Sequence, residues 1–435
     1  MWNAHVPQHP TRTNTLREHL RGDPAFIRAV RRIAGRQSPK GTSTGCPCSA
    51  EHKLLDPGLV ACPVMVQRSR DGARHHTPES KRASRHAGAK IADLVLSGGG
   101  VKGIGLVGAV AALTDAGYRV GRVSGTSAGS LVGAVVAAGA RDGQLTGAQL
   151  KDMAMSLPYR KFLDPAVATR VPFLGLGWAA ITGRGLYRGD FIRDWVDDQL
   201  RSLGVRTFGD LAVDDSDLPP EQRYRLVVTV ADVTRGHLVR LPWDYRRLYG
   251  LDPDEQSVAD AVRASMAIPF FFRPVTITGT TGATSTLIDG GLLSNFPMYS
   301  LDRTDSKPPR WPSFGVTVMA QRPGEGDGDP SPVLVPLVRL PGSPRLLEGL
   351  VNTALLGHDG TYLSQPAVAA RTIVVDSSGI GYLNFNISLA DRRKLYAEGY
   401  SAAQSFLTTW DWRSYLQRFH PATLAAPPTD SDQSA

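Results

Sequence analysis

A Gly-x-Ser-x-Gly pentapeptide at 125–129 (GTSAG) is the sharpest chemical signal in the sequence. It lies between a predicted strand and a predicted helix, and Gly125 and Gly129 permit the tight bend that exposes a serine hydroxyl at a strand end. The dipole and the free amides at the start of the following helix would face the same hydroxyl. The motif therefore predicts Ser127 as a nucleophile.

A second glycine-rich turn, 97–103 (SGGGVKG), also lies between a predicted strand and a predicted helix. Consecutive glycines allow neighbouring backbone N–H groups to converge on one anion, either a dinucleotide pyrophosphate or a tetrahedral oxyanion. Gly98, Gly100 and Gly103 match the dinucleotide fingerprint, but that fingerprint expects an acidic residue after the second strand, where the serine turn begins instead. The sequence favours the oxyanion and leaves nucleotide binding as an alternative.

A serine nucleophile needs a base, and the sequence offers two candidates. Asp289 ends a short apolar run at 287–291 (LIDGG) and is followed by two glycines. A Ser-His-Asp triad would instead recruit a histidine from the body of the chain. His358 in LGHDG is the one histidine there with glycines on both sides, so it stays as the alternative to Asp289.

These three segments, SGGGVKG, GTSAG and DGG, together resemble the patatin-like phospholipases. Gly100 and Ser127 are 27 positions apart, one βα unit, as in that family, and the segments 263–271 (RASMAIPFF) and 185–190 (GLYRGD) are similar to further family motifs. The resemblance covers 91–320 and extends more loosely to 410. It implies a three-layer α/β/α sandwich with a mainly parallel central sheet.

The resemblance also implies roles for individual residues. Ser127 and Asp289 would form a catalytic dyad without histidine that hydrolyses acyl esters of lipids through an acyl-serine intermediate. An oxyanion hole would be formed by backbone amides and by a basic residue in the family's Arg or Lys position: Gly99, Gly100, Val101 and Lys102. Further glycines would shape the turns: Gly98, Gly103, Gly125, Gly129, Gly290 and Gly291. The family pattern requires neither a metal nor a cofactor.

Alternation of strands and helices predicts the α/β class from the residues alone. The predicted strands are 91–97, 120–123, 224–230, 275–278, 287–288, 314–318 and 372–375. The predicted helices are 106–116, 131–138, 191–203, 258–266 and 389–407. Two successive strand-turn-helix units favour a parallel sheet covered by helices.

Charge separates the chain into three predicted parts: a basic, largely disordered extension (1–90), a catalytic domain (91–410) and a flexible tail (411–435). The extension has 16 Lys and Arg residues against 6 Asp and Glu, whereas the rest has 33 against 34. Since the body is nearly neutral, the basic net charge does not indicate nucleic-acid binding. Cys46, Cys48 and Cys62 are too few for a disulfide framework and poorly spaced for zinc.

The 435-residue chain has no apolar run of eighteen residues and no secretory leader pattern, so we expect a cytoplasmic protein. A basic amphipathic helix at 24–36 could place it on an anionic membrane surface. The apolar segments 171–181 and 270–272 could line an acyl-chain cleft or belong to the core. High Ala, Arg and Gly usage suggests a bacterial source. A nucleotide- or lipid-binding protein without chemistry remains the alternative from another functional class.

Overall fold

The structure is a computed structural model, which describes residues 90–141, 143, 145–164, 185–305, 307–319, 353 and 363–421. These residues all fall within one unit of the chain, Thr77–Ala435. Several sequence predictions lie outside the described residues: the extension before residue 90, the apolar segment 171–181, His358 and the tail after 421.

One sheet contains all the strands of the described residues. They are β1 (Lys90–Leu96), β2 (Tyr118–Thr126), β3 (Leu226–Asp232), β4 (His237–Leu241), β5 (Val275–Thr278), β6 (Thr284–Asp289), β7 (Ser313–Met319) and β8 (Thr372–Asp376). Their order is β5-β6-β3-β2-β1-β7-β8, with β4 also paired to β3. The five neighbouring strands β3, β2, β1, β7 and β8 are parallel to one another. Strands β4 and β6 pair antiparallel with β3, and β5 pairs antiparallel with β6.

Helices flank this sheet. The described α-helices are α1 (Gly103–Asp115), α2 (Ala128–Ala140), α3 (Gly147–Ser156), α4 (Asp190–Ser202), α5 (Val258–Ser265), α6 (Pro366–Ala369), α7 (Leu389–Thr409) and α8 (Trp412–Phe419). Short 3-10 turns at Gly100–Lys102 and Gly290–Leu292 adjoin the glycine-rich motifs. The predicted α/β fold with a mainly parallel central sheet is confirmed.

Buried apolar residues explain why the central strands form. The last five residues of β1 and all seven of β3 are buried, as expected for strands covered on both faces by helices. Helix α4 has a different pattern, because it buries Ile192, Val196 and Leu200 on one face. That four-residue spacing is the signature of an amphipathic helix with one face against the core, where α4 packs on helices α5 and α2.

The register of β3 brings two strand ends together. Thr229 of β3 pairs with Thr126, the last residue of β2. The next residue of β3, Val230, pairs with Asp289, the last residue of β6. Because β2 runs parallel and β6 antiparallel to β3, consecutive β3 residues place the carboxyl ends of both strands side by side.

The predicted tail beginning at residue 411 is wrong in its boundary. Asp411 caps helix α8 by accepting a hydrogen bond from the Ser414 amide at 2.7 Å. Tyr415 and Leu416 of this helix are buried. The helix is short and half of it is charged or polar, so its apolar residues are too few to stand out in the sequence.

Besides α8, three elements were missed: strand β4, helix α3 and the four-residue helix α6. Two helices begin earlier than predicted. Strand β4 and helix α3 were not predicted, since HLVRL mixes polar with apolar residues and α3 buries only three positions. Helices α1 and α2 begin at Gly103 and Ala128, inside the glycine-rich motifs that were read as turns. Of the described helices, none has the length and hydropathy needed to span a bilayer.

Candidate active site

Ser127 occupies a sharp bend between β2 and α2. Its backbone has φ 51° and ψ −121°, a conformation uncommon for a residue with a side chain. The bend is tight enough that a Cβ added to Gly129 would lie 2.3 Å from the Leu96 carbonyl oxygen. A Cβ on Gly125 would lie 2.3 Å from the Gly129 carbonyl oxygen. Both motif glycines are therefore required by close backbone approach.

The Ser127 hydroxyl donates a hydrogen bond to Asp289 Oδ2 at 2.6 Å. The other carboxylate oxygen, Oδ1, accepts from the Gly291 amide at 2.8 Å. Both side chains are deeply placed, with Ser127 2% and Asp289 1% exposed. The structure thus brings the predicted nucleophile and the predicted base into direct contact.

Burial changes the acidity of this carboxyl group. Loss of hydration raises the pKa of Asp289 to about 7, although hydrogen bonds from Ser127 and the Gly291 amide oppose the shift. A group with a pKa near neutrality can both accept a proton and return it at physiological pH. This arrangement is suited to general base and then general acid chemistry.

The glycine-rich turn presents two amides that are free to bind an anion. Within the described residues, neither the Gly99 nor the Gly100 amide donates a hydrogen bond. Gly100 has φ 53°, and a Cβ there would lie 2.2 Å from the Tyr382 carbonyl oxygen, so this position requires glycine. Free backbone donors in a turn of this kind can stabilise an oxyanion.

The structure corrects the predicted donor set at Val101. Its amide donates to the Tyr382 carbonyl oxygen at 3.0 Å and is not available to an oxyanion in this arrangement. The Lys102 amide is likewise occupied, by Gly99 O at 3.0 Å. The Lys102 side chain is buried, which lowers its pKa against the opposing attraction of Asp376.

The remaining motif glycines surround the same place. The Gly98 amide donates to the Asn295 carbonyl oxygen at 3.1 Å. A Cβ on Gly290 would lie 2.4 Å from the Thr229 carbonyl oxygen, and one on Gly103 would lie 3.0 Å from Ala128 Cβ. The six predicted turn glycines therefore each lie at a tight contact or donate a hydrogen bond within this site, with the Gly291 amide bonded to Asp289.

An apolar pocket with a cavity volume of about 50 Å³ lies beside Ser127. Its described lining is mostly aliphatic and aromatic and includes Ile104, Val107, Leu131, Val132, Leu157, Phe162, Trp195, Met266, Ile268, Phe272 and Phe385. Of the predicted cluster 270–272, only Phe272 is part of this lining. The neighbouring Phe271 stacks on Phe385 with ring centroids 5.6 Å apart. The pocket has the chemistry expected for an acyl chain.

Sequence reasoning missed the residues that support the dyad. Ser265 accepts a hydrogen bond from the Ser127 amide, and the Thr126 and Thr229 hydroxyls contact each other beneath the bend. Tyr382 occupies the Val101 amide through its carbonyl oxygen. Ser265 lies in the segment RASMAIPFF, whose resemblance gave a signal for the segment but not for this side chain.

Two of the three histidines in the body of the chain are described, and neither has a described hydrogen bond to Ser127 or Asp289. His237 Nδ1 contacts the Arg235 carbonyl oxygen at 2.6 Å, and His420 packs against Tyr415. His358 lies outside the described residues.

Comparison with known proteins found a matching family model and a curated relative. A family model described as Patatin-like phospholipase matches residues 94–302. The uncharacterized protein YqhO of Bacillus subtilis (strain 168) is 34% identical over 321 residues, which is 74% of this chain and 99% of that protein. The chain belongs to the patatin-like phospholipase family. Membership of this family supports lipid hydrolase activity.

Solved structures are similar to this patatin-like chain at lower identity. VipD from Legionella pneumophila has a TM-score of 0.40 at 19% identity, covering 73% of this chain and 67% of VipD. The type III effector ExoU has a TM-score of 0.38 at 17% identity, covering 73% of this chain and 52% of ExoU. ExoU in complex with SpcU from Pseudomonas aeruginosa has a TM-score of 0.35 at 20% identity, covering 73% and 53%. This chain spans about half the length of ExoU.

Proposed function

We propose that this patatin-like protein hydrolyses carboxylic ester bonds of lipids through an acyl-serine intermediate, with Ser127 as nucleophile and Asp289 as base. The observation that carries the proposal is the 2.6 Å hydrogen bond to Asp289 from the hydroxyl of Ser127, a residue that lines an apolar pocket. A pair consisting of a nucleophile and a base within hydrogen-bond reach is the diagnostic geometry of covalent catalysis.

In the acylation step, Asp289 accepts the Ser127 hydroxyl proton as the serine oxygen attacks the ester carbonyl carbon. The negative charge that develops on the carbonyl oxygen is stabilised by the Gly99 and Gly100 amides. Collapse of the tetrahedral intermediate breaks the bond to the leaving alcohol, which takes the proton back from Asp289. An acyl-serine remains and Asp289 is again a carboxylate.

Deacylation repeats the same steps with water. Asp289 removes a proton from the attacking water molecule, and the oxyanion is again held by the two glycine amides. Collapse releases the fatty acid and returns the proton to Ser127. No step draws on a metal ion or a cofactor. Removal of one donor from an oxyanion hole typically costs roughly 2.7–4 kcal/mol of transition-state stabilisation.

The apolar lining of the pocket favours a lipid acyl chain as the bound part of the substrate. The aliphatic side chains of α1 and α2, among them Ile104, Val107, Leu131 and Val132, would remove the chain from water. We propose a phospholipid or another lipid acyl ester as the substrate class. The general activity is that of a carboxylic ester hydrolase.

The decisive experiment compares wild type with Ser127→Ala, Asp289→Asn and His358→Ala on a short-chain p-nitrophenyl ester and on labelled phosphatidylcholine, in EDTA. We expect the first two substitutions to lower turnover by at least 1,000-fold, as removal of a nucleophile or its base does. His358→Ala should retain wild-type turnover. A fluorophosphonate should label wild type and His358→Ala but not Ser127→Ala.

Ser285→Ala is the matched control. Ser285 is 1% exposed, and its hydroxyl has no hydrogen-bond partner among the described residues, so the substitution removes a buried hydroxyl without breaking a described hydrogen bond. Hydrolysis that survives Ser127→Ala would refute the proposed nucleophile. Loss of activity in His358→Ala with normal folding would replace the dyad with a triad.

A further inference from the structure

The backbone amide of the nucleophile needs a partner, because it lies outside both the sheet and the helix. Strand β2 ends at Thr126 and helix α2 begins at Ala128, which leaves the Ser127 N–H without an intrahelical acceptor. The Ser265 hydroxyl oxygen accepts it at 2.9 Å. Ser265 is the last residue of α5 and is fully buried at 0% exposure.

The Ser265 hydroxyl proton is also committed. It is donated to the Thr229 carbonyl oxygen at 2.7 Å, so the hydroxyl has a fixed orientation with a lone pair directed at Ser127. Thr229 is the β3 residue that pairs with Thr126. Ser265 therefore ties the bend to the central sheet with two hydrogen bonds that water cannot replace at full burial.

The same short segment holds the base. The Asp289 amide donates to the Ala267 carbonyl oxygen at 3.0 Å, two residues after Ser265. A segment of three residues thus contacts the backbone of the nucleophile at one end and the backbone of the base at the other. The distance between these two anchor points constrains the separation of Ser127 from Asp289.

We propose that Ser265 is a positioning residue, whose hydroxyl holds the strained Ser127 backbone in the orientation that aligns its Oγ with Asp289. This inference rests on the proposed Ser127–Asp289 function. Ser265 does not line the apolar pocket, so it acts on the orientation of the nucleophile and not on substrate binding.

The test measures kcat and KM per active site for Ser265→Ala, with Ser285→Ala as the buried-serine control and with active sites titrated by a fluorophosphonate. We expect kcat to fall about 10- to 100-fold, the range for a misplaced reacting group, with KM within twofold of wild type. Titration removes any effect of a smaller folded fraction. Equal kcat for Ser265→Ala and Ser285→Ala would overturn the proposal.

A pH profile separates positioning from a merely structural role. The Ser127 hydrogen bond lowers the pKa of Asp289, so weakening it should move the acid limb of kcat/KM to higher pH in Ser265→Ala. An unmoved limb, or a raised KM with unchanged kcat, would overturn the proposal. If Ser265→Ala does not fold, Ser265→Cys has nearly the volume of serine with a weak hydrogen-bonding sulfur, and it is held to the same criteria.

The same measurements distinguish the two hypotheses. Hydrolysis retained in Ser127→Ala would remove the proposed function and, with it, the role of Ser265. Hydrolysis lost in Ser127→Ala but unchanged in Ser265→Ala would leave the dyad in place and reject only the positioning role.

Discussion

At the residue scale, the buried carboxyl group of Asp289 links activity to pH. Its pKa is raised to about 7, and only the carboxylate form can accept the Ser127 proton. We therefore expect kcat/KM to rise about tenfold per pH unit well below 7 and to level off above it. The measurement is a pH profile with a p-nitrophenyl ester between pH 5 and 9. Ser285→Ala should give the same midpoint. A profile without an acid limb between pH 5 and 9, which the ordinary aspartate pKa of 3.8 would give, would contradict the burial argument.

The raised pKa of Asp289 makes activity and folding stability depend on pH in opposite directions. A carboxyl group that titrates at a higher pH in the folded state than in the unfolded state stabilises the fold in its protonated form. That contribution is present below the unfolded pKa of 3.8 and is lost as the pH rises through about 7. The form of Asp289 that can act as a base is therefore the form that the fold disfavours.

Residue roles were predictable from sequence only where the signal was local. Ser127 and the glycines around it were predicted from five consecutive residues together with their position between a predicted strand and a predicted helix. The sequence could not show that the Val101 amide is already hydrogen-bonded, because its acceptor, the Tyr382 carbonyl oxygen, lies far away in the chain. The contact between Ser265 and Ser127 also joins distant residues, so only the folded sheet reveals it.

At the element scale, prediction succeeded for the mostly buried central strands and failed for several partly buried elements, although the partly exposed strand β5 was predicted with its observed bounds. Strand β3 is entirely buried and β1 and β7 are buried over five consecutive residues, so apolar runs identify them. Strand β4 alternates with polar and charged residues at the sheet periphery, and helix α8 depends on packing by two buried side chains. The sequence patterns of β4 and α8 cannot be told from those of loops until the residues that pack against them are known.

Close packing of helices α1 and α7 gives an element-scale prediction. A Cβ added to Gly399 of α7 would lie 1.9 Å from the Gly105 carbonyl oxygen of α1, which requires the helices to separate. Gly399→Ala should lower the free energy of unfolding by about 1–3 kcal/mol, as overpacking typically does. Urea or thermal unfolding measures the change.

Gly381→Ala is the control for this packing argument. A Cβ at Gly381 would meet nothing closer than 3.9 Å, so its stability should stay within about 0.5 kcal/mol of wild type. If the two alanine variants had equal stability, the helix contact would not be as close as described. If Gly399→Ala were the more stable variant, the helix propensity of alanine would outweigh the steric cost.

At the scale of the whole molecule, the apolar pocket and family membership imply that the protein must bind a lipid surface to reach its proposed substrate. The pocket opens beside a buried dyad, and its substrate is proposed to lie in an aggregate or a bilayer. The strongly basic part of the sequence is the extension before residue 90. Attraction between basic residues and anionic headgroups would concentrate the enzyme at its substrate.

We expect the full chain to float with vesicles containing phosphatidylserine more than with phosphatidylcholine vesicles. Replacing four arginines of the predicted amphipathic helix with glutamine should reduce flotation without altering turnover of a soluble ester: Arg28, Arg31, Arg32 and Arg36. Each basic group near an anionic surface contributes roughly 1 kcal/mol, so the loss should exceed 100-fold in partitioning. Because the attraction is electrostatic, raising ionic strength should mimic the substitutions. Equal flotation of the two forms on anionic vesicles would show that this helix does not contribute to membrane contact.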